Sequence, residues 1–302
     1  MNIYDLKAPS MVTWQLTRDC DLACLHCCTD SAPGKAMPGE LTREQSLKLA
    51  REIAAAGVPY VMVVGGEPTI VPHFLEVCKT LSDGGCLLKI ETNGQNFDVE
   101  PLKALAIRSI QISLDGASQE TYGRQRVHGD FAKAVDACRR VVAAGLPLEI
   151  TFAPTRINLS DAEAVIDLAA SLKAFRFNSG RLMRLGTAVK LWDRLEPSEA
   201  QYAGFLALLE RKEREYAGRM ELCFRPFSLQ EDAAARVEAP SGTLLVRPDG
   251  KVLPSVTVDF TCADLKTHTF LEAWDAYKAA WKDKVFLAAL ERANDLPAMV
   301  SR

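Results

Sequence analysis

Four cysteines fall within nine residues of one another, at Cys20, Cys24, Cys27 and Cys28. Three of them keep a CxxxCxxC spacing in Cys20-Asp21-Leu22-Ala23-Cys24-Leu25-His26-Cys27. Thiolates on one short loop can each bind one iron of a cubane cluster. The fourth iron then has no protein ligand and offers an open position, as a catalytic zinc does. The competing reading is a zinc site, for which His26 or Cys28 would have to supply a fourth ligand from strained positions beside Cys27. The chain has nine cysteines in all, and the other five are scattered. Cys78, Cys86 and Cys138 read as small buried hydrophobes. The spacing is too uneven for a secreted disulfide framework.

Four further stretches could work with that loop. They are Val64-Gly65-Gly66-Glu67-Pro68, Glu91-Thr92-Asn93-Gly94, Ser113-Leu114-Asp115-Gly116 and a loop holding Arg126. Asn178 and Arg181 are weaker candidates of the same kind. The elements that must position them alternate in type. Apolar runs predict strands over 12–16, 60–64, 87–91, 109–114, 148–153 and 175–178. Helices are expected over 41–57, 72–81, 99–106 and 129–144, with a Thr42-x-x-Gln45 capping box and stops at Gly57 and Gly145. Ser160-x-x-Glu163 should open another. Strand–helix steps of this kind imply a parallel sheet with right-handed crossovers, either doubly wound or a partial barrel. The candidate residues then lie at the carboxyl ends of the strands, where sites in such sheets form.

Over roughly Met11 to Ala188 the sequence resembles the radical S-adenosylmethionine (SAM) superfamily. The resemblance implies a partial (β/α)6 barrel and a [4Fe–4S] cluster on Cys20, Cys24 and Cys27 that binds SAM. It further implies reductive cleavage of SAM to a 5′-deoxyadenosyl radical, which takes a hydrogen atom from the substrate. His26 corresponds to the family's adenine contact, made chiefly through backbone. Gly65, Gly66 and Glu67 match the motif that binds the SAM amino group, and Thr92 and Asn93 match the step beneath SAM. Ser113 and Asp115 are implied contacts of the ribose or carboxylate, and Arg126 an arginine facing SAM or substrate. An electron donor such as flavodoxin or ferredoxin is implied as a partner.

The remainder differs. Ser198-x-x-Gln201 caps a long charged helix, and 243–246 and 251–258 flank the turn Arg247-Pro248-Asp249-Gly250, a hairpin signal. A helix with Trp274 and Trp281 follows. The stretch from Ala239 to Ser255 and Phe270-Leu271-Glu272-Ala273-Trp274 are similar to a SPASM/twitch extension. This divides the chain into a barrel over 1–194 and a small α+β extension over 195–302. In relatives the hairpin's cysteines carry an auxiliary cluster. Here Ala239 and Ser255 stand in those positions, and only Cys223 and Cys262 remain in this half, too few for four-ligand binding.

Hydrophobic residues make up 48% of the 302, charged residues 25%, and the net charge is −3. That is an ordinary globular balance, with no basic stripe to suggest nucleic acid. No run of about 18 apolar residues suggests a membrane span, and the first ten residues lack a signal-peptide core. A cytoplasmic location is expected. The first functional expectation is a small-metabolite substrate undergoing epimerisation or rearrangement, with Cys262, or else Cys223, returning a hydrogen atom. The alternatives are a maturase of a ribosomally made peptide and a non-catalytic Fe–S scaffold.

Overall fold

The computed structural model describes residues 2–295, so Met1 and positions 296–302 of the expected extension lie outside it. The strands are β1 (Met11–Gln15), β2 (Ala23–Cys24), β3 (Tyr60–Val64), β4 (Leu87–Thr92), β5 (Ile107–Ser113), β6 (Arg126–Val127), β7 (Leu148–Phe152), β8 (Arg176–Gly180), β9 (Glu221–Arg225), β10 (Thr243–Val246), β11 (Lys251–Leu253) and β12 (Ala263–Asp264). The helices are α1 (Arg43–Ala55), α2 (Phe74–Asp83), α3 (Gln119–Gln125), α4 (Phe131–Ala143), α5 (Ala162–Ser171), α6 (Thr187–Lys190), α7 (Trp192–Leu195), α8 (Glu199–Glu215), α9 (Leu229–Glu238), α10 (Phe270–Ala280) and α11 (Lys284–Asp295).

One ten-stranded sheet runs β12-β11-β10-β1-β3-β4-β5-β7-β8-β9. Every pairing from β10 to β9 is parallel, and only β11 and β12 are antiparallel. This is the expected α/β architecture of a partial barrel. Its two faces follow from strand register. Val12, Val61, Val63, Leu88, Ile90, Ile110, Ile112, Leu148, Ile150 and Phe177 are at most 1% exposed and form the outer, helix-covered core. Fully burying one such side chain contributes about 1.5–3 kcal/mol. Alternate positions point to the inner face, and several are polar: Lys89, Glu91, Gln111, Glu149, Arg176 and Asn178.

The local signals decide most element starts. Thr42 and Ser198 form the expected capping boxes with Gln45 and Gln201. Ser160 does not cap a helix: α5 starts from Asp161, which makes no side-chain cap bond. The expected helix over 99–106 is a 3-10 turn, Glu100–Ala104. The second arm of the hairpin stops at Leu253, before Pro254 and well short of 258.

The stretch after Leu195 does not stand apart from the sheet. β9 adds a further parallel strand beyond β8, and α8 packs over it through Phe205 and Phe224, whose ring centroids are 5.8 Å apart. The hairpin β10–β11 pairs with the other edge, β10 lying parallel to β1. The proposed division at 194/195 therefore separates stretches of sequence that share one sheet.

Candidate active site

The cysteine loop leaves β1 and is tied to the next strand's turn by backbone hydrogen bonds. Gly66 N–H donates to Thr17 O (2.7 Å) and Glu67 N–H to Asp19 O (2.9 Å). A Cβ on Gly66 would lie 2.1 Å from Asp19 O, so only glycine permits that approach. Further along, β2 pairs antiparallel with β6, setting Cys24 opposite Arg126. Leu25 N–H donates to Gln125 O, and Thr187 N–H to Cys27 O at 2.8 Å. The loop is thus clamped on three sides.

Cys20 and Cys24 are buried and Cys27 is half-buried. Burial pushes the free Cys20 and Cys24 thiols up to about 12. Each of the three sulfurs nevertheless meets a donor: Leu22 N–H at Cys20 Sγ (3.4 Å), Arg126 Nη1 at Cys24 Sγ (3.7 Å) and Ser31 N–H at Cys27 Sγ (3.3 Å). Such donors stabilise thiolate sulfur and tune Fe–S clusters. Among the described residues, no three His, Cys, Asp or Glu side chains converge as they would around a single ion. His26 Nε2 is 3.2 Å from Asp115 Oδ2, away from the cysteines. His26 is thus engaged by Asp115 rather than free to be a fourth zinc ligand, and the three thiols of one loop, packed around Leu22, are the donor types that a cluster with one iron per thiol takes.

Asp115 is the hub beneath this loop. It is fully buried and accepts from Arg126 Nε (2.7 Å), His26 and Ala153 N–H (2.7 Å). Burial opposes its charge, but Arg126 and His26 outweigh that and hold the carboxyl down at about 2. The carboxylate is thus committed to positioning His26 and Arg126. Arg126 is 8% exposed, which sets aside a solvated surface role. His26 Nδ1 is buried without a protein partner, an orphan that fits a bound cofactor.

Glu67 is also fully buried. Its carboxylate accepts from Thr69 N–H, Thr69 Oγ1, Thr92 Oγ1 and Asn93 N–H, joining the turns after β3 and β4. Burial pushes it upward despite those four bonds. Here Glu67 acts as a brace, leaving the Gly65–Gly66 backbone for ligand contact. Asn93 Nδ2 donates to Asp21 Oδ1 (2.6 Å) and lies 3.8 Å from Cys20 Sγ. Ser113 ends β5, half-buried, on the inner face beside Thr151.

Other candidates lie elsewhere. Asn178 sits on the inner face, donating to Gln111 Oε1 (3.0 Å) and Glu149 Oε2 (2.6 Å). Arg181 grips Glu199 and lies over the Tyr202 ring at 4.5 Å, so it braces α8. Cys223 is exposed on β9, level with Asn178 and on the same face. Cys262 donates to Val252 O and packs against the main core beside β11, at the other end of the strand order. That placement removes the reason for preferring Cys262 as a hydrogen donor. Ala239 is the C-cap of α9 and the Ser255 hydroxyl is bonded to Thr257, and neither residue can supply a thiolate.

The sequence reading missed Glu91 as an inner-face group. Gln111 Nε2 donates to its Oε1 (2.9 Å), and burial pushes the carboxyl upward. The available signal was a charged residue at every second position of an otherwise apolar strand, Lys89 and Glu91 in β4.

The comparisons agree with this geometry. The model of the radical SAM superfamily matches residues 14–169, just over half the chain. The mycofactocin maturase MftC of Mycobacterium ulcerans is 36% identical over 202 residues, 66% of this chain and 54% of that protein. The PqqA peptide cyclase of Ruegeria pomeroyi is 30% identical over 256 residues, 82% of this chain and 68% of that one. Streptococcus suis SuiB, solved with its precursor peptide SuiA, superposes with a TM-score of 0.74 at 15% identity, covering 94% of this chain and 67% of SuiB. The chain spans about half the length of the maturases it matches first.

The chain belongs to the radical SAM superfamily, whose members bind a [4Fe–4S] cluster and SAM. Within it, the chain is similar to SPASM/twitch-type maturases, and Ala239 and Ser255 stand at the two positions where the sequence reading looked for auxiliary-cluster cysteines. No described helix is long and apolar enough to cross a membrane. Anaerobically purified protein should accordingly carry about four irons per chain. A reproducible count near twice that, with two clusters resolved by electron paramagnetic resonance, would overturn the single-cluster reading.

Proposed function

We propose that this radical SAM enzyme modifies a residue within a peptide, as a maturase. The observation that carries the reading is its similarity to a peptide cyclase over 82% of the chain. MftC and the fold shared with SuiB support it. These relatives favour a peptide over the small metabolite first expected from the sequence. When bound, the cluster and SAM supply hydrogen-atom abstraction. Cys20, Cys24 and Cys27 would hold the cluster. His26, the Gly65–Gly66 backbone and Asn93 would line the SAM side, with Asp115 and Glu67 fixing the loops. The inner face below is polar, so the reacting residue meets Glu91 and Gln111 rather than an apolar pocket. An apolar side chain would cover those polar groups without replacing the water they lose. Should a thiol return a hydrogen atom, Cys223 has the better position.

The test supplies reduced enzyme and SAM with peptides translated from short reading frames beside its gene. Parallel reactions receive nucleosides, sugars and amino acids. We expect a mass change in one peptide, with 5′-deoxyadenosine formed in proportion. Unchanged peptides alongside an altered metabolite would refute the reading.

A further inference from the structure

The amino-terminal ends of the strands line a partly open cavity of about 120 Å³, at the opposite ends of the strands from the cysteine loop. At about 30 Å³ per liquid water, it has room for a small ion with some of its hydration. Its lining includes Lys89, Arg108, Ser109, Glu149 and Arg176. Three of these are cationic and one is anionic. Lys89 Nζ is 2.8 Å from Glu149 Oε2, so that pair is mutually satisfied. Arg176 binds Glu221 at 2.6 Å through Nη2, while its Nη1 is 4.0 Å from Glu149. Arg108, on exposed β5 backbone at the rim, has no carboxylate within ion-pair range among the described residues.

Ser109 supplies an independent observation. It is 0% exposed, and its Oγ has no hydrogen-bond partner. The Glu149 carboxylate is close enough for that hydroxyl to favour its charge, yet stands outside hydrogen-bonding geometry. A buried hydroxyl left open in a charged cavity is costly unless something enters to pair with it. Lys89 and Arg176 are held by Glu149 and Glu221, which leaves Arg108 as the lining cation without a carboxylate partner among the described residues, and its guanidinium presents planar donors suited to an oxyanion.

We propose that this amino-terminal cavity binds a small oxyanion, a phosphate or a carboxylate, through Arg108, Arg176 and the Ser109 hydroxyl. The Lys89–Glu149 and Arg176–Glu221 pairs stay in place, and the anion supplies the counter-charge that Arg108 lacks. Sites in such barrels usually form at the opposite face, so this one is separate from the cofactor chemistry.

Calorimetric titration of the anaerobic holoenzyme with sodium phosphate, and separately with sodium acetate, tests it at ionic strength fixed with chloride. Saturable binding of phosphate alone identifies a phosphate site, and of acetate alone a carboxylate site. Arg108→Gln should weaken the binding by about tenfold, whereas Arg51→Gln, a change at an exposed arginine of α1, should leave it unchanged. Ser109→Ala should weaken binding, and its Tm is followed alongside because the hydroxyl also lies near Glu149. Equal binding by wild type and Arg108→Gln would overturn the proposal. So would a Ser109→Ala protein that loses Tm but binds as before, since the hydroxyl would then serve Glu149 alone.

Discussion

Alanine at Cys20, Cys24 or Cys27 is expected to abolish SAM cleavage, whereas Cys28→Ala retains most of it. Each of the first three thiols has its own N–H donor and its own place in the loop. A cubane held by three cysteines has none to spare. Cys28 differs although it adjoins Cys27: it stands outside the CxxxCxxC spacing, and the charge of Glu91 acts on it as well as that of Cys27. It is therefore expected to lie outside the ligand set. The measurements are iron per chain, the absorbance of the cluster near its charge-transfer band and 5′-deoxyadenosine after dithionite reduction. Circular dichroism shows that each variant is folded. Wild-type product from any one of the first three variants would remove that residue from the ligand set. A collapse in Cys28→Ala matching theirs would require four thiolates and would close the open iron.

The parts of this site that lie in single short segments were legible in the sequence. The cysteine spacing and the GGEP and TNG turns announce themselves because each needs particular residue types at fixed separations. The buried strand at 60–64 was legible as a continuous apolar run. What could not be read depends on distant pairing. β9, Glu-Leu-Cys-Phe-Arg, has exposed charged ends and a weak alternating pattern, because its inner positions face the open edge. Nothing in Thr243–Val246 says that it will lie parallel to β1, more than two hundred residues earlier. Roles were harder than places for the same reason. Asp115, Glu67 and Arg181 were all taken as ligand-facing, but each side chain is engaged by protein partners that only the folded chain brings near.

Asp115→Ala is expected to destabilise the protein by about 3–5 kcal/mol, because it strands Arg126 as an unpaired buried charge. Arg126 is 8% exposed, and its other contact in the site is Cys24 Sγ at 3.7 Å. Arg126→Met should cost a similar amount, leaving Asp115 to His26 and one backbone N–H. The double variant Asp115→Asn/Arg126→Met should recover most of the lost stability, since removing both partners of a buried pair is often close to neutral. Acid sensitivity should change with it. Asp115 stays ionised in the folded protein down to about 2, below its ordinary value near 3.8. Its ion pair therefore contributes fully above pH 4 and is lost as pH falls toward 2, so the double variant should lose less stability over that interval. Function should not follow stability. His26 would have lost the carboxylate that orients it, and Cys24 the guanidinium beside its sulfur, so SAM binding by equilibrium dialysis should stay weakened in the refolded double variant. Denaturant melts at several pH values and SAM binding on the same samples separate the two effects. If the double variant recovers SAM affinity along with stability, Asp115 and Arg126 are only a structural pair, and the orientation of His26 must come from the cysteine loop itself.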